Sequence, residues 1–319
     1  MNRPFECRSD TVPIVQDLEQ DGTASFHFIH GDIESPPPNE FKEFYGSPPH
    51  RRFLKQYCSG RADYEFFNAL WSAPHRLTPE QKYREMVQSL RPESTNDVQT
   101  ILDRLYRVLD HDGPFDGIIG NSEGASVAAI FVVNYLTRCA RKEIQHSLKC
   151  AVFMSGGPPS FPDGTGVFLA DEHGQIITMP TCHIIAYNDS LIDSAVALYH
   201  LCDQASATIV DHGKGHLVPR DPKSSKLMVK GIRDLIVDCY TMAFAVGLDL
   251  AFAPHHKANV GVIEIEFANV FEVEARTHGQ TEQPMGFPQA WVYYNRSEAV
   301  STSSKSRLEL CASLGDLRR

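Results

Sequence analysis

Gly120-Asn121-Ser122-Glu123-Gly124 sets a serine between two glycines in the pattern G-x-S-x-G. A serine hydroxyl is a weak nucleophile unless a neighbouring base takes its proton. The pattern gains meaning when the serine sits on a sharp strand-to-helix turn. Phe115 to Gly120, FDGIIG, is a short apolar strand running into it. Ser122 to about Arg138 leaves as a helix with Val127, Ala128, Ile130, Phe131, Val132, Tyr135 and Leu136, apolar on most sides and therefore buried. Such a turn holds the Ser122 hydroxyl clear of the sheet. The helix N-terminus behind it offers backbone N–H groups to a developing oxyanion. An ordinary glycine-rich turn would carry the same letters, so a base and an acid must be found elsewhere.

In the elbow arrangement the partners follow in the order serine, acid, histidine. Downstream, Asp211 to Arg220 reads DHGKGHLVPR, after a strand and with two histidines. His216 lies in the glycine-rich loop, where an imidazole can reach a strand edge and stay partly solvated. His212 ends the strand and reads as structural. The acid should follow the preceding strand. HIIAY ends at Asn188-Asp189-Ser190, which puts Asp189 at a strand C-terminus, where α/β sites gather. Asp193 is the rival acid, with a helix N-cap as its expected role.

The elements that must position these groups alternate. Residues 24–30 read as a strand, 96–109 as a helix, 150–154 as a strand, 181–187 as a strand, 193–202 as a helix, 207–210 as a strand and 224–240 as a helix. Strands alternating with helices predict a parallel sheet covered on both faces. Gly31 to Pro74 is a turn-rich aromatic segment, including Phe41, Tyr45, Phe53, Tyr57, Phe67 and Trp71, and reads as a binding loop or as core packing. Beyond Tyr240 the grammar changes: 260–275 alternates with period two and is expected to form an exposed strand or two, and 301–306 to fray.

Composition narrows the class of partner. The 319 residues carry 30 basic and 40 acidic side chains, a formal charge of −10, which repels phosphate backbones and anionic membranes alike. Neither a nucleic-acid nor a membrane partner is expected. The first ten residues hold no apolar run, so no secretory signal is expected, and no apolar stretch reaches a membrane span. None of the eight cysteines forms a C-x-x-C pair, and His255-His256 is a poor metal pair. Free thiols in a cytoplasmic protein, with no metal and no cofactor, are the expectation.

FDGIIGNSEGASVAA at 115–129, AVFMSGGPP at 151–159, NDSLIDSAVALYHLCD at 188–203 and DHGKGHLVPRD at 211–221 together resemble the fungal FSH-type serine hydrolase family. Within it, the chain is most similar to esterases and thioesterases of fungal polyketide gene clusters. The resemblance covers about 5–240 and implies an α/β-hydrolase fold, with Ser122 as nucleophile, Asp189 as acid and His216 as base. It implies an acyl or polyketide substrate, with a polyketide synthase acyl carrier domain as partner. The domain organisation expected is a hydrolase domain over 1–240 and an extension of unknown structure over 241–319.

Two departures qualify the resemblance. Family members open with a strand ending in a His-Gly loop that supplies an oxyanion N–H. Here FECRSDTVPIVQDLEQ resembles the helix after that loop, and FHFIHGDIESPPP the family's second strand, so His30-Gly31 is not the expected donor. The first strand is then missing, a gap or edge opens in the sheet, and the Glu123 N–H is left as main oxyanion donor. The second departure is 241–319, past the usual family end. A start-site or splicing error in the deduced sequence would produce both. Two alternatives to a polyketide thioesterase follow: a general carboxylesterase, and a non-catalytic truncated remnant.

Overall fold

The apolar runs expected to be strands form a single parallel sheet in a computed structural model that describes residues 12–34, 51–54, 76–89, 96–145, 147–245 and 260–266. The described residues all belong to a compact unit spanning Met1–Val273. Most of the aromatic segment (35–50 and 55–75) and all of 267–319 lie outside the described residues.

Helix α1 (Val12–Gln20) leads into β1 (Ala24–His30), followed by the two-residue strands β2 (Ile33–Glu34) and β3 (Arg51–Arg52). Helices α2 (Pro79–Ser89) and α3 (Asn96–Asp112) precede β4 (Gly117–Asn121), and α4 (Glu123–Ala140) follows it. Then come β5 (Cys150–Met154), the short α5 (Ala170–His173), β6 (Thr181–Ile185) and α6 (Ile192–His200). The chain continues through β7 (Ala207–Asp211), α7 (Pro222–Ala245) and β8 (Val260–Glu266).

The main sheet runs β1-β8-β4-β5-β6-β7, with every neighbouring pair parallel. Strands β2 and β3 form a separate antiparallel pair, Ile33 opposite Arg52 and Glu34 opposite Arg51. One face of the main sheet packs on α3, α4 and α6 through Leu102, Leu105, Phe131, Leu198 and Ile263. The other packs on α1 and α7 through Ile14, Leu18, Met228, Ile232 and Val262. Helices on both faces of an all-parallel main sheet make this an α/β-hydrolase-type architecture.

Strand β8 overturns two expectations. Its period-two pattern led to an exposed strand, yet Val260 and Ile263 are 1% and 0% exposed. Alternation marks a strand but does not say where in a sheet it lies. Here β8 is interior, with Ile263 and Ile265 facing one core and Val260 and Val262 the other. Each such fully buried side chain contributes about 1.5–3 kcal/mol of transfer free energy. The second expectation was a gap or edge left in the sheet by a missing strand; among the described residues β8 sits between β1 and β4, pairing with β1 on one side, Phe26 opposite Val262, and with β4 on the other, Ile118 opposite Ile263. Helix α7 likewise runs on past residue 240 to Ala245.

The sequence reading missed α2, although its start is signalled. Thr78 Oγ1 accepts the Gln81 N–H at 3.2 Å while Gln81 Oε1 accepts the Thr78 N–H at 3.0 Å. That reciprocal capping box, with proline at the first helical position, is a legible helix start. The helix is pinned to α6 by Lys82–Asp193 at 2.6 Å and Glu80–His200 at 2.5 Å, and to α5 by Arg84–Asp171 at 2.8 Å.

Candidate active site

Strand β4 delivers Ser122 onto a backbone turn at φ 53°, ψ −116°. Such a conformation is uncommon for a residue with a Cβ, and its strain is held by the elements around it. The Ser122 N–H donates to the Met154 carbonyl at the end of β5 (2.8 Å), and the Ser122 carbonyl accepts the first helical N–H groups of α4, from Ala125 at 3.1 Å and Ser126 at 3.2 Å. The two glycines of the motif are required by crowding. A Cβ on Gly120 would lie 2.3 Å from the Gly124 carbonyl oxygen, and one on Gly124 2.2 Å from that of Ile265.

Three predicted residues meet at this turn. Ser122 Oγ–H donates to His216 Nε2 at 3.0 Å, and His216 Nδ1–H donates to Asp189 Oδ2 at 2.8 Å. The tautomer protonated at Nδ1 satisfies both contacts. Asp189 is almost fully buried, at 2% side-chain exposure, against 29% for His216. A buried carboxylate needs several donors, and its second oxygen accepts the Leu191 N–H at 2.8 Å. The carboxylate is thus fixed by its own loop, the imidazole by the carboxylate, and the hydroxyl by the imidazole. In this order the ring can take the hydroxyl proton while the acid holds the ring and offsets its charge.

The other candidates have different places. Asp193 is in the first turn of α6 rather than at its N-cap, which is Leu191. It pairs with Lys82 because α2 lies across that turn. His212 is buried, which pushes its pKa down against the opposing charges of Asp211 and Asp189, and its Nδ1 accepts the Lys214 N–H at 3.3 Å. His30-Gly31 ends β1, two strands away from β4. Glu123 opens α4, so its backbone N–H lies in the first turn of that helix, directly after Ser122. Its side chain has a part the sequence did not foretell: Glu123 Oε2 accepts the Phe53 N–H at 3.2 Å and Oε1 the Leu54 N–H at 3.3 Å. No sequence signal links positions seventy residues apart in this way.

Among the described residues no group of His, Cys, Asp or Glu is placed to hold a metal ion, and no helix is long and apolar enough to cross a membrane.

A solved structure of dienelactone hydrolase from Anabaena variabilis aligns over 68% of this chain and 86% of that one, at 16% identity and a TM-score of 0.31. Hydrolase phiM of Talaromyces stipitatus is 30% identical over 143 residues, 43% of this chain and 57% of that protein. Esterase FPY3 of Fusarium mangiferae is 33% identical over 137 residues, 41% of this chain and 61% of that protein. Esterase OVCA2 of Xenopus tropicalis is 30% identical over 121 residues, 37% of this chain and 47% of that protein. The chain therefore spans about half to three-fifths of the length of these curated relatives. The family model described as Serine hydrolase (FSH1) matches residues 19–228, most of the chain and all three residues of the hydrogen-bonded series, and the chain belongs to that family.

Proposed function

We propose that this chain hydrolyses acyl esters or thioesters through Ser122, with His216 as base and Asp189 as the acid that orients it. The continuous series Ser122–His216–Asp189 carries the reading. Ser122 Oγ attacks the acyl carbonyl as His216 Nε2 takes its proton. The Glu123 N–H, at the positive end of α4, faces the developing oxyanion. Collapse expels the alcohol or thiol, which receives the proton from His216, and leaves an acyl-enzyme. Water, deprotonated by the same imidazole, then attacks the acyl carbonyl and releases the acid and free Ser122.

The substrate proposed is a polyketide or related acyl chain, presented as a thioester on an acyl carrier domain. The motif resemblance and the fungal hydrolase and esterase relatives support it. We place the reaction in the cytoplasm, in keeping with the free thiols of Cys139, Cys150, Cys182, Cys202 and Cys239. A general carboxylesterase is the second reading, favoured by the similarity to an esterase from a frog. The non-catalytic reading, a chain inactive through loss of the first strand and its oxyanion donor, is tested by hydrolysis: turnover by this chain rules it out.

The test is labelling of the purified chain by a fluorophosphonate probe. Wild type should react and Ser122→Ala should not; equal labelling of both would remove Ser122 from the mechanism. Hydrolysis of carrier-bound acyl thioesters supports the polyketide substrate, whereas activity on short oxygen esters alone supports the carboxylesterase.

A further inference from the structure

The loop that carries His216 is built on two glycines in the left-handed region, Gly213 at φ 65° and Gly215 at φ 75°. A Gly-Lys-Gly sequence has little intrinsic stiffness, yet the imidazole at its end must meet two partners at hydrogen-bond distance. The loop is held from several sides. Asp211 Oδ1 accepts the Gly213 N–H at 2.9 Å and the Tyr187 N–H at 3.4 Å, and His212 Nδ1 accepts the Lys214 N–H. Asn188 alone among these spans both glycines with one side chain. Its Oδ1 accepts the Gly215 N–H at 2.9 Å, and its Nδ2–H donates to the Gly213 carbonyl at 3.3 Å.

Asn188 immediately precedes Asp189. The residue that grips the histidine loop therefore shares a backbone with the carboxylate that grips the histidine ring. We infer that Asn188 is a positioning residue, whose amide locks the His216 loop to the Asp189 loop so that acid and base move as one body. This rests on the hydrolase reading of the same site. Asn188 is solvent-exposed, so its removal empties no cavity in the core. That separates a catalytic effect from a folding one.

The experiment is steady-state hydrolysis of p-nitrophenyl butyrate by the full chain. Asn188→Ala should lower kcat by about 10–100-fold, since misplacing a catalytic group by about 1 Å can cost 100-fold. KM should stay within about twofold, and fluorophosphonate labelling of Ser122 should slow in proportion to kcat. Asn188→Asp keeps the acceptor for Gly215 and loses the donor to Gly213, and should fall between wild type and Asn188→Ala. An Asn188→Ala kcat within about twofold of wild type overturns the inference, as does a loss matched by an equal fall in folded fraction on thermal melting. Equal impairment of the Ala and Asp variants also overturns it. Wild-type labelling that vanishes in Ser122→Ala keeps this test separate from the reading beneath it. A chain that hydrolyses ester through Ser122 and ignores Asn188→Ala fails the inference alone.

Discussion

The Ile265 carbonyl oxygen occupies the space that a Cβ on Gly124 would need, 2.2 Å from its ideal position. The nucleophile turn and strand β8 are therefore in backbone contact, although 141 residues separate them in sequence. The elbow is seated on a strand that lies beyond residues 19–228, where the family match ends.

Gly124→Ala forces that contact apart. Neither neighbour is the end of a flexible side chain, so either α4 or β8 must shift. Overpacking of this kind costs about 1–3 kcal/mol. A lower melting temperature is expected, and the folded fraction should label more slowly with a fluorophosphonate, because Ser122 rides on the first turn of α4. Unchanged melting and labelling would show that β8 does not bear on the elbow.

The start of β8 has its own anchor. Asp116 donates its backbone N–H to the Gly261 carbonyl at 2.7 Å, and its Oδ2 accepts the Gly261 N–H at 3.2 Å. Its Oδ1 accepts from Lys149 Nζ at 2.5 Å. Asp116→Ala leaves both donors without this carboxylate and should destabilise the fold by about 1–3 kcal/mol. Amide hydrogen exchange should quicken most over 260–266. Exchange that rises equally in β5 and β6 would show that the carboxylate does not act on β8 in particular.

His183 sets a pH dependence of stability. Its ring is buried between Phe153 and Tyr199, and burial pushes its pKa from an ordinary 6.5 down to about 3. Between those values the unfolded chain binds a proton that the folded chain refuses. Its contribution to stability is thus full above about pH 6.5 and is lost as pH falls toward 3, at about 1.4 kcal/mol per pH unit. His183→Gln removes this loss. In urea unfolding at pH 7 and pH 5, wild type should lose about 2 kcal/mol more than the variant. Equal losses would mean that the ring accepts its proton in the folded state.

The elements nearest the nucleophile were the most legible, because their signals are local. FDGIIG reads as a buried strand, the following residues as a buried helix, and the glycines around Ser122 as positions without room. Helix α2 has an equally local start signal in the Thr78–Gln81 box, but its apolar residues, Tyr83, Met86 and Val87, are few and make a weak periodic pattern. Asp189 and His216 could be named because each follows a strand and stands in a turn-rich loop.

What sequence determined, then, was the order of strands and helices, the strained serine turn and the residues able to act as acid and base, since these follow from short-range periodicity and turn chemistry. Tertiary structure decided which partners meet. Asp193 was drawn to Lys82 by the packing of α2 on α6, which leaves Asp189 on His216. The same holds for β8, whose alternating residues would suit an edge as well as an interior. Parallel pairing with β1 and β4 joins residues more than a hundred positions apart, and such pairing is set by the space between two strands rather than by any pattern within the third.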